Sequence, residues 1–205
     1  MSEILIYPSY FPSIASMAAM SQASNIVFEV EDNYQKQTYR NRSYIAHSNG
    51  KLLLTIPITH QKEKESQKTK EVVPENDFPW LAQHWKSVQS AYRTSPYFEF
   101  YEDDLSPLFS KPVTNLQAFN LLIIKALFEL IGMEVPTERS SEYLTVPKQK
   151  DLRHLVVCKR EKKFRFETYH QVFEETEGYI ENLSVLDLLF NEGPNSLSYL
   201  ERQKL

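Results

Sequence analysis

Glycine is scarce in this 205-residue chain: four are present, where average usage of about 7% would give roughly fourteen. Gly-rich phosphate-cradling loops are therefore excluded. One cysteine, Cys158, allows neither an internal disulfide nor a thiolate metal cage, and its setting in Leu155-Val156-Val157-Cys158 reads as a small buried core residue and not as a nucleophile. The histidines, at 47, 60, 84, 154 and 170, form no His-x-x-x-His pair, so no metal site is expected, and Gly-x-Ser-x-Gly is absent. No cofactor is implied. No apolar run approaches the ~18 residues of a membrane span; the longest, Leu121 to Met133, carries Lys125 and Glu129. Pro8 and Pro12 interrupt the first apolar run before signal-peptide length, and a cytoplasmic location is expected. An excess of positive charge is also missing. Lys plus Arg number 23 against 27 Asp plus Glu, a net −4, which is not the body of a backbone-driven nucleic-acid binder.

What is there is 41% hydrophobic and 13% aromatic, the profile of an ordered protein, with no linker long enough to separate two domains. The spacing predicts an α/β fold. Apolar runs at Glu3 to Tyr7 and Asn25 to Val30 flank an Ala/Met/Ser-rich stretch from Ile14 to Ala23, which reads as a β-α-β unit with parallel strands. Arg42 to Ala46 and Lys51 to Ile58 flank Asn49-Gly50, the signature of a hairpin, expected as an antiparallel addition to the sheet. Residues 60–76 contain little apolar surface and read as a mobile polar loop.

Residues 77–132 read as a segment of about three helices. Asp77 caps the first, with Leu81, Trp85, Val88 and Tyr92 on one apolar face. Pro96 opens the second, and Thr114 to Gln117 form a capping box for a third that stops at Gly132. His84, beside Trp85, reads as a surface or partly buried helical residue more readily than as a catalytic one. The carboxyl-terminal portion is mixed: a short helix at Lys148 to Val157, an extended stretch from Phe164 to Phe173, and a helix from Ser184 closed by Gly193.

Three stretches are candidates for chemistry. The turn Tyr7-Pro8-Ser9-Tyr10-Phe11-Pro12 follows the first strand, where open α/β sheets gather ligands; Ser9 and Tyr10 are its polar members, and a rigid packing turn explains it equally well. Between Lys36 and Arg42, the cations Lys36, Arg40 and Arg42 and the amides Gln37 and Asn41 suit an anionic or sugar ligand. The alternative is a solvated loop whose cations pair with Glu29, Glu31 and Asp32. Lys148 to Arg165 holds eight Lys or Arg against Asp151 and Glu161, with Phe164 and Phe166 interleaved. Neutralisation by the acidic segment after Glu174 is the favoured explanation, and no nucleic-acid partner is expected.

These pieces together resemble the WbqC-like family: Pro-x-Tyr-Phe-Pro at Pro8 to Pro12, Lys36 followed by Asn41-Arg42, Leu54-Thr55-Ile56-Pro57, His84-Trp85-Lys86 with Ser95-Pro96-Tyr97-Phe98, and Leu183 to Gly193. The resemblance runs from about Ile6 to Asn195. It implies a link to bacterial surface-polysaccharide (O-antigen) synthesis and an acyl- or aminoacyl-type transfer, with Tyr10, Lys36, Asn41, Arg42, Tyr97, Ser184 and Asp187 carried over as motif residues without assigned roles. Asp187 reads equally as a partner in its helix cap. Two departures stand out. Ser13-Ile14-Ala15 replaces the family's aromatic residue and glycine after Pro12, and the stretch from Cys158 to Tyr169 is shorter than in longer members. Two functions are expected to compete: a transferase acting on an activated sugar or acyl donor, and a non-catalytic ligand-binding or scaffold protein. The transferase expectation requires Tyr10, Lys36, Asn41 and Arg42 to meet in one pocket.

Overall fold

The structure, a computed structural model, describes residues 2–59, 67–159 and 163–205. Strand β1 (Glu3–Ile6) leads through helix α1 (Ile14–Ser21) to β2 (Asn25–Phe28), which pairs parallel with β1 in the register Ile4 to Ile26. This is the expected β-α-β unit. Ser13 caps α1, its hydroxyl accepting from the Ser16 N–H at 3.4 Å. The helix is apolar on every side, as a helix covered all round must be, and residues 14–20 are all buried.

Strands β3 (Arg42–His47) and β4 (Gly50–Thr55) form the hairpin, with Gly50 at φ +93° in the turn. The hairpin does not extend the first sheet: it is a two-stranded sheet of its own. Both edges of the parallel sheet are already in use. On the far side of β1 lies β5 (Lys150–Asp151), also parallel, giving the order β2-β1-β5; against β2, Phe28 exchanges backbone hydrogen bonds with Glu138 and Ser140. The hairpin docks instead on helices, with the Ala46 N–H donating to the Tyr92 hydroxyl and the Ser184 N–H to the Tyr44 carbonyl.

Helices α2 (Trp80–Tyr92), α3 (Phe98–Leu105) and α4 (Leu116–Ile131) follow, in the expected number and order. Asp77 does not cap α2, whose first residue is Trp80 and whose cap position is Pro79. The buried stripe of α2 is Trp80, His84, Val88, Ala91 and Tyr92, turned from the expected face, so Leu81 and Trp85 are only partly buried. Asn115, one residue beyond the expected Thr114, caps α4 by accepting from the Ala118 N–H at 2.8 Å, and Gly132 ends the helix at φ +84°. Residues 60–66 of the expected polar loop lie outside the described residues. Its remainder carries a 3-10 turn at Thr69–Glu71, with Thr69 and Val72 buried.

The expected helix from Lys148 to Val157 is instead β5 and a 3-10 turn, Arg153–Val156. The residues on either side of Asp151 are drawn into the sheet, where Leu5 accepts from the Leu152 N–H. Cys158 is only partly buried, and its thiol donates to the Gln37 carbonyl, because the chain leaves the core at this point. After the short helix α5 (Glu174–Glu177), α6 (Val185–Glu192) starts at Ser184 as expected, and α7 (Ser196–Arg202) packs on α1. No helix among the described residues is long and apolar enough to cross a membrane.

Candidate functional site

Open parallel sheets present ligand sites beyond the carboxyl ends of their strands, at the point where strand order reverses. Here that point is β1, with β2 on one side and β5 on the other. At or just past the three strand ends lie Tyr7, Glu29 and the pair Asp151/Arg153, and all of them belong to one polar cluster. Glu29 is wholly buried; its Oε1 accepts from the Ser140 hydroxyl at 2.6 Å and from the Glu31 N–H at 2.9 Å. Arg153 reaches it from the far side, Nη1 lying 3.6 Å from Glu29 Oε2, while Nε and Nη2 hold Asp151 at 2.9 and 2.6 Å. The Arg153 Nη1 also donates to the Leu144 carbonyl.

Arg40 forms the second half of the cluster. Its Nε and Nη2 both donate to Asp32 Oδ2, at 2.9 and 2.6 Å, and its guanidinium lies 4.0 Å from the centre of the Tyr7 ring. Arg40 and Asp32 are 1% and 3% exposed, so this is a buried ion pair and not the solvated pairing considered above. Burial raises the Asp32 carboxyl above its ordinary value, against the pull of Arg40. Burial also raises the Tyr7 hydroxyl, assisted by its hydrogen bond with Tyr143. Asp151 moves the other way, lowered chiefly by its hydrogen bonds from Arg153.

The residues singled out in the sequence fall in different surroundings. The turn at 8–12 and the segment at 38–41 are brought together: the Tyr10 N–H donates to Tyr39, and the Asn120 side chain donates to the carbonyls of Pro8 and Arg40. Their side chains part. Tyr10 is wholly buried, its hydroxyl 2.8 Å from His84 Nδ1, among Trp80 and Phe119. Ser9 is buried, Lys36 is exposed, and Asn41 donates to the Ile56 carbonyl. Arg42, partly buried, sits on β3 opposite Thr55. Tyr10, Lys36, Asn41 and Arg42 are thus neighbours in the chain path, but their side chains do not converge as the transferase expectation requires; of the segment from Lys36 to Arg42, Arg40 enters the charged cluster. Phe164 and Phe166 are buried and stacked on each other at 5.1 Å, leaving no ring face for a nucleotide base between them. Residues 160–162 of the basic segment lie outside the described residues.

Asp187 forms a second buried centre. Its Oδ2 accepts from the Tyr169 hydroxyl and from Gln171 Nε2, and Tyr92 faces the same carboxyl. Burial raises it to about 6 despite these donors. It takes no part in the helix cap, where the Ser184 hydroxyl accepts from Leu186 N–H. His84 moves the opposite way, lowered to about 4 by burial.

Comparison with known proteins bears on these motifs. The family model described as the WbqC-like protein family matches residues 7–166. The chain belongs to the WbqC-like family. A WbqC-like chain of this length also has a full-length relative, "Uncharacterized protein Rv1507c" of Mycobacterium tuberculosis, 23% identical over 96% of each chain. No solved structure matches. In this WbqC-like fold the separated motifs pack on one another: the Tyr97 N–H donates to the Phe190 carbonyl, and a Cβ at Gly193 would lie 2.5 Å from the Tyr97 ring. Tyr97 therefore marks a close approach between α3 and the end of α6.

Glu29, Ser140 and Tyr143 were not expected at a ligand site; Tyr7 stands in the candidate turn and Asp151 and Arg153 in the basic stretch, but the sequence does not bring the six together. For Tyr7 and Glu29 a usable signal exists, since each is the first polar residue after an apolar run that reads as a parallel strand. Arg153 and Asp151 gave no such signal, because their segment reads as a helix.

Proposed function

We propose that the protein binds a small polar substrate at the carboxyl edge of its parallel sheet and transfers a group to or from it. The observation that carries this reading is the convergence of charged and hydroxyl side chains from three strand ends at the reversal of strand order. Family membership favours group transfer in bacterial surface-polysaccharide (O-antigen) synthesis, with an activated sugar, acyl or aminoacyl donor. In such a step an acceptor hydroxyl or amine attacks the donor carbon, the leaving group departs with the bonding pair, and the proton passes to a carboxylate. In this reading Glu29 is the carboxylate that receives it. A non-catalytic ligand-binding or scaffold role is the second reading, supported by the saturation of both arginines with internal partners.

A thermal-shift screen against nucleotides, nucleotide-sugars, amino acids and acyl-coenzyme A separates the two. A ligand at ~100 times its Kd stabilises by about 2.7 kcal/mol, a shift of roughly 5–10 °C in a chain of this size. A hit that weakens in Tyr7→Phe and is consumed when a second substrate class is added supports transfer. A cooperative melt unmoved by the whole panel favours the scaffold role.

A further inference from the structure

The cations between Lys36 and Arg42 suggest an anionic ligand, but the charge at the sheet edge points the other way. Among the described residues of the cluster, Glu29, Asp32 and Asp151 face Arg40 and Arg153, one negative charge in excess. The excess sits at Glu29. Asp32 holds two donors from Arg40 on Oδ2, its Oδ1 having none, and Asp151 holds three from Arg153; Glu29 receives no hydrogen bond from either arginine, and its Oε2 has only the longer 3.6 Å approach of a guanidinium already engaged elsewhere. A buried carboxylate oxygen without a donor is costly, and a ligand that brings an N–H donor with positive charge removes that cost. A phosphate or carboxylate would add repulsion to it.

We propose that this edge takes the protonated amine of a small polar substrate, with Glu29 as its counter-ion. The inference rests on the reading that the edge is the ligand site. A metal ion fits this edge less well, since no cluster of three or more His, Cys, Asp and Glu able to hold one occurs among the described residues. A stretch without regular structure until β5, residues 140–149, borders this edge. It is fastened to the cluster by Ser140 on Glu29, by the Tyr143 ring 5.0 Å from the Arg153 guanidinium, and by the Leu144 carbonyl on Arg153. Tyr143 and Val146 on this stretch are 46% and 86% exposed.

The test is a titration of the full chain with three matched sugars, glucosamine, N-acetylglucosamine and glucose 1-phosphate, followed residue by residue in amide NMR spectra. Glucosamine is expected to shift the Glu29, Val30 and Ser140 amides saturably, N-acetylglucosamine to bind at least tenfold more weakly, and Glu29→Gln to lose at least tenfold for glucosamine alone. The sugar comparison uses the unmutated protein, so it stands even where Glu29→Gln does not fold. Equal or tighter binding of N-acetylglucosamine or glucose 1-phosphate at the same amides overturns the amine assignment and leaves the edge as the ligand site. Saturation of those amides by magnesium chloride overturns it in favour of a metal ion. Shifts confined to other regions, or none with any sugar, overturn both the assignment and the edge site.

Discussion

Deleting the Asp32 carboxylate leaves the Arg40 guanidinium buried beside Tyr7 without its counter-charge, which is the expensive way to break an ion pair. Asp32→Ala is expected to cost about 3–5 kcal/mol, and the double variant with Arg40→Ala less than the sum of the singles, measured by urea denaturation. Additive losses would mean that the pair is not coupled. Gly193 sets a different constraint. Its φ of +52° and the Tyr97 ring, 2.5 Å from a Cβ at that position, both resist a side chain. Gly193→Ala should destabilise by about 2 kcal/mol or more, part of it strain that no neighbour relieves. In a Tyr97→Ala background the added cost should fall to the backbone share of ~1 kcal/mol; an unchanged cost would remove the ring from the explanation.

The capping of α4 joins two distant stretches. Asn115 accepts from the Ala118 N–H and donates through Nδ2 to the Lys70 carbonyl at 2.7 Å, so one side chain both starts the helix and ties down the turn at Thr69–Glu71. Asn115→Asp keeps the cap and loses the tie; Asn115→Ala loses both, at about 1–2 kcal/mol. Amide exchange should quicken around residues 69–72 in both variants, and protection there in Asn115→Asp would count against the tie. Elements whose signals are local were legible in the sequence: α1 between its strands, the Asn49-Gly50 hairpin, the stop of α4 at Gly132. What was not legible depends on partners far along the chain. Leu152, Leu155 and Val156 carry a helix-like spacing, and only pairing with Ile4 and Leu5 makes the start of that stretch a strand. The face of α2 was turned because His84 counts as polar, although Tyr10 supplies the hydrogen bond that lets it be buried. The edge cluster escaped for the same reason, since Glu29 and Arg153 meet only through the sheet.

Two buried groups give the protein opposed responses to acid. Asp187, raised to about 6 from 3.8, binds its proton more readily in the folded chain, so its contribution to stability falls as pH rises from about 4 to 6. His84, lowered to about 4 from 6.5, resists protonation when folded, so its contribution falls as pH drops from about 6.5 to 4. Each amounts to about 3 kcal/mol, and they nearly cancel in the native protein. Asp187→Asn should therefore lose stability steeply on acidification through this window, and His84→Gln should gain it. Parallel profiles for the two variants, in urea titrations at a series of pH values, would sink the assignment.

The pairing of β1 with β5, and of α1 with the carboxyl-terminal helices, also decides when the protein can fold. The Ala15 N–H is held by Asn182, the Ile14 N–H by the Leu183 carbonyl, and Gln22 by the carbonyls of Leu200 and Gln203. An apolar helix therefore waits for partners made 167 residues later in the chain, on the order of ten seconds or more at ribosomal speeds. During that interval α1 is a sticky segment on a nascent chain, and early folding belongs to the hairpin and α2 to α4, leaving the parallel sheet and its charged edge to be completed last.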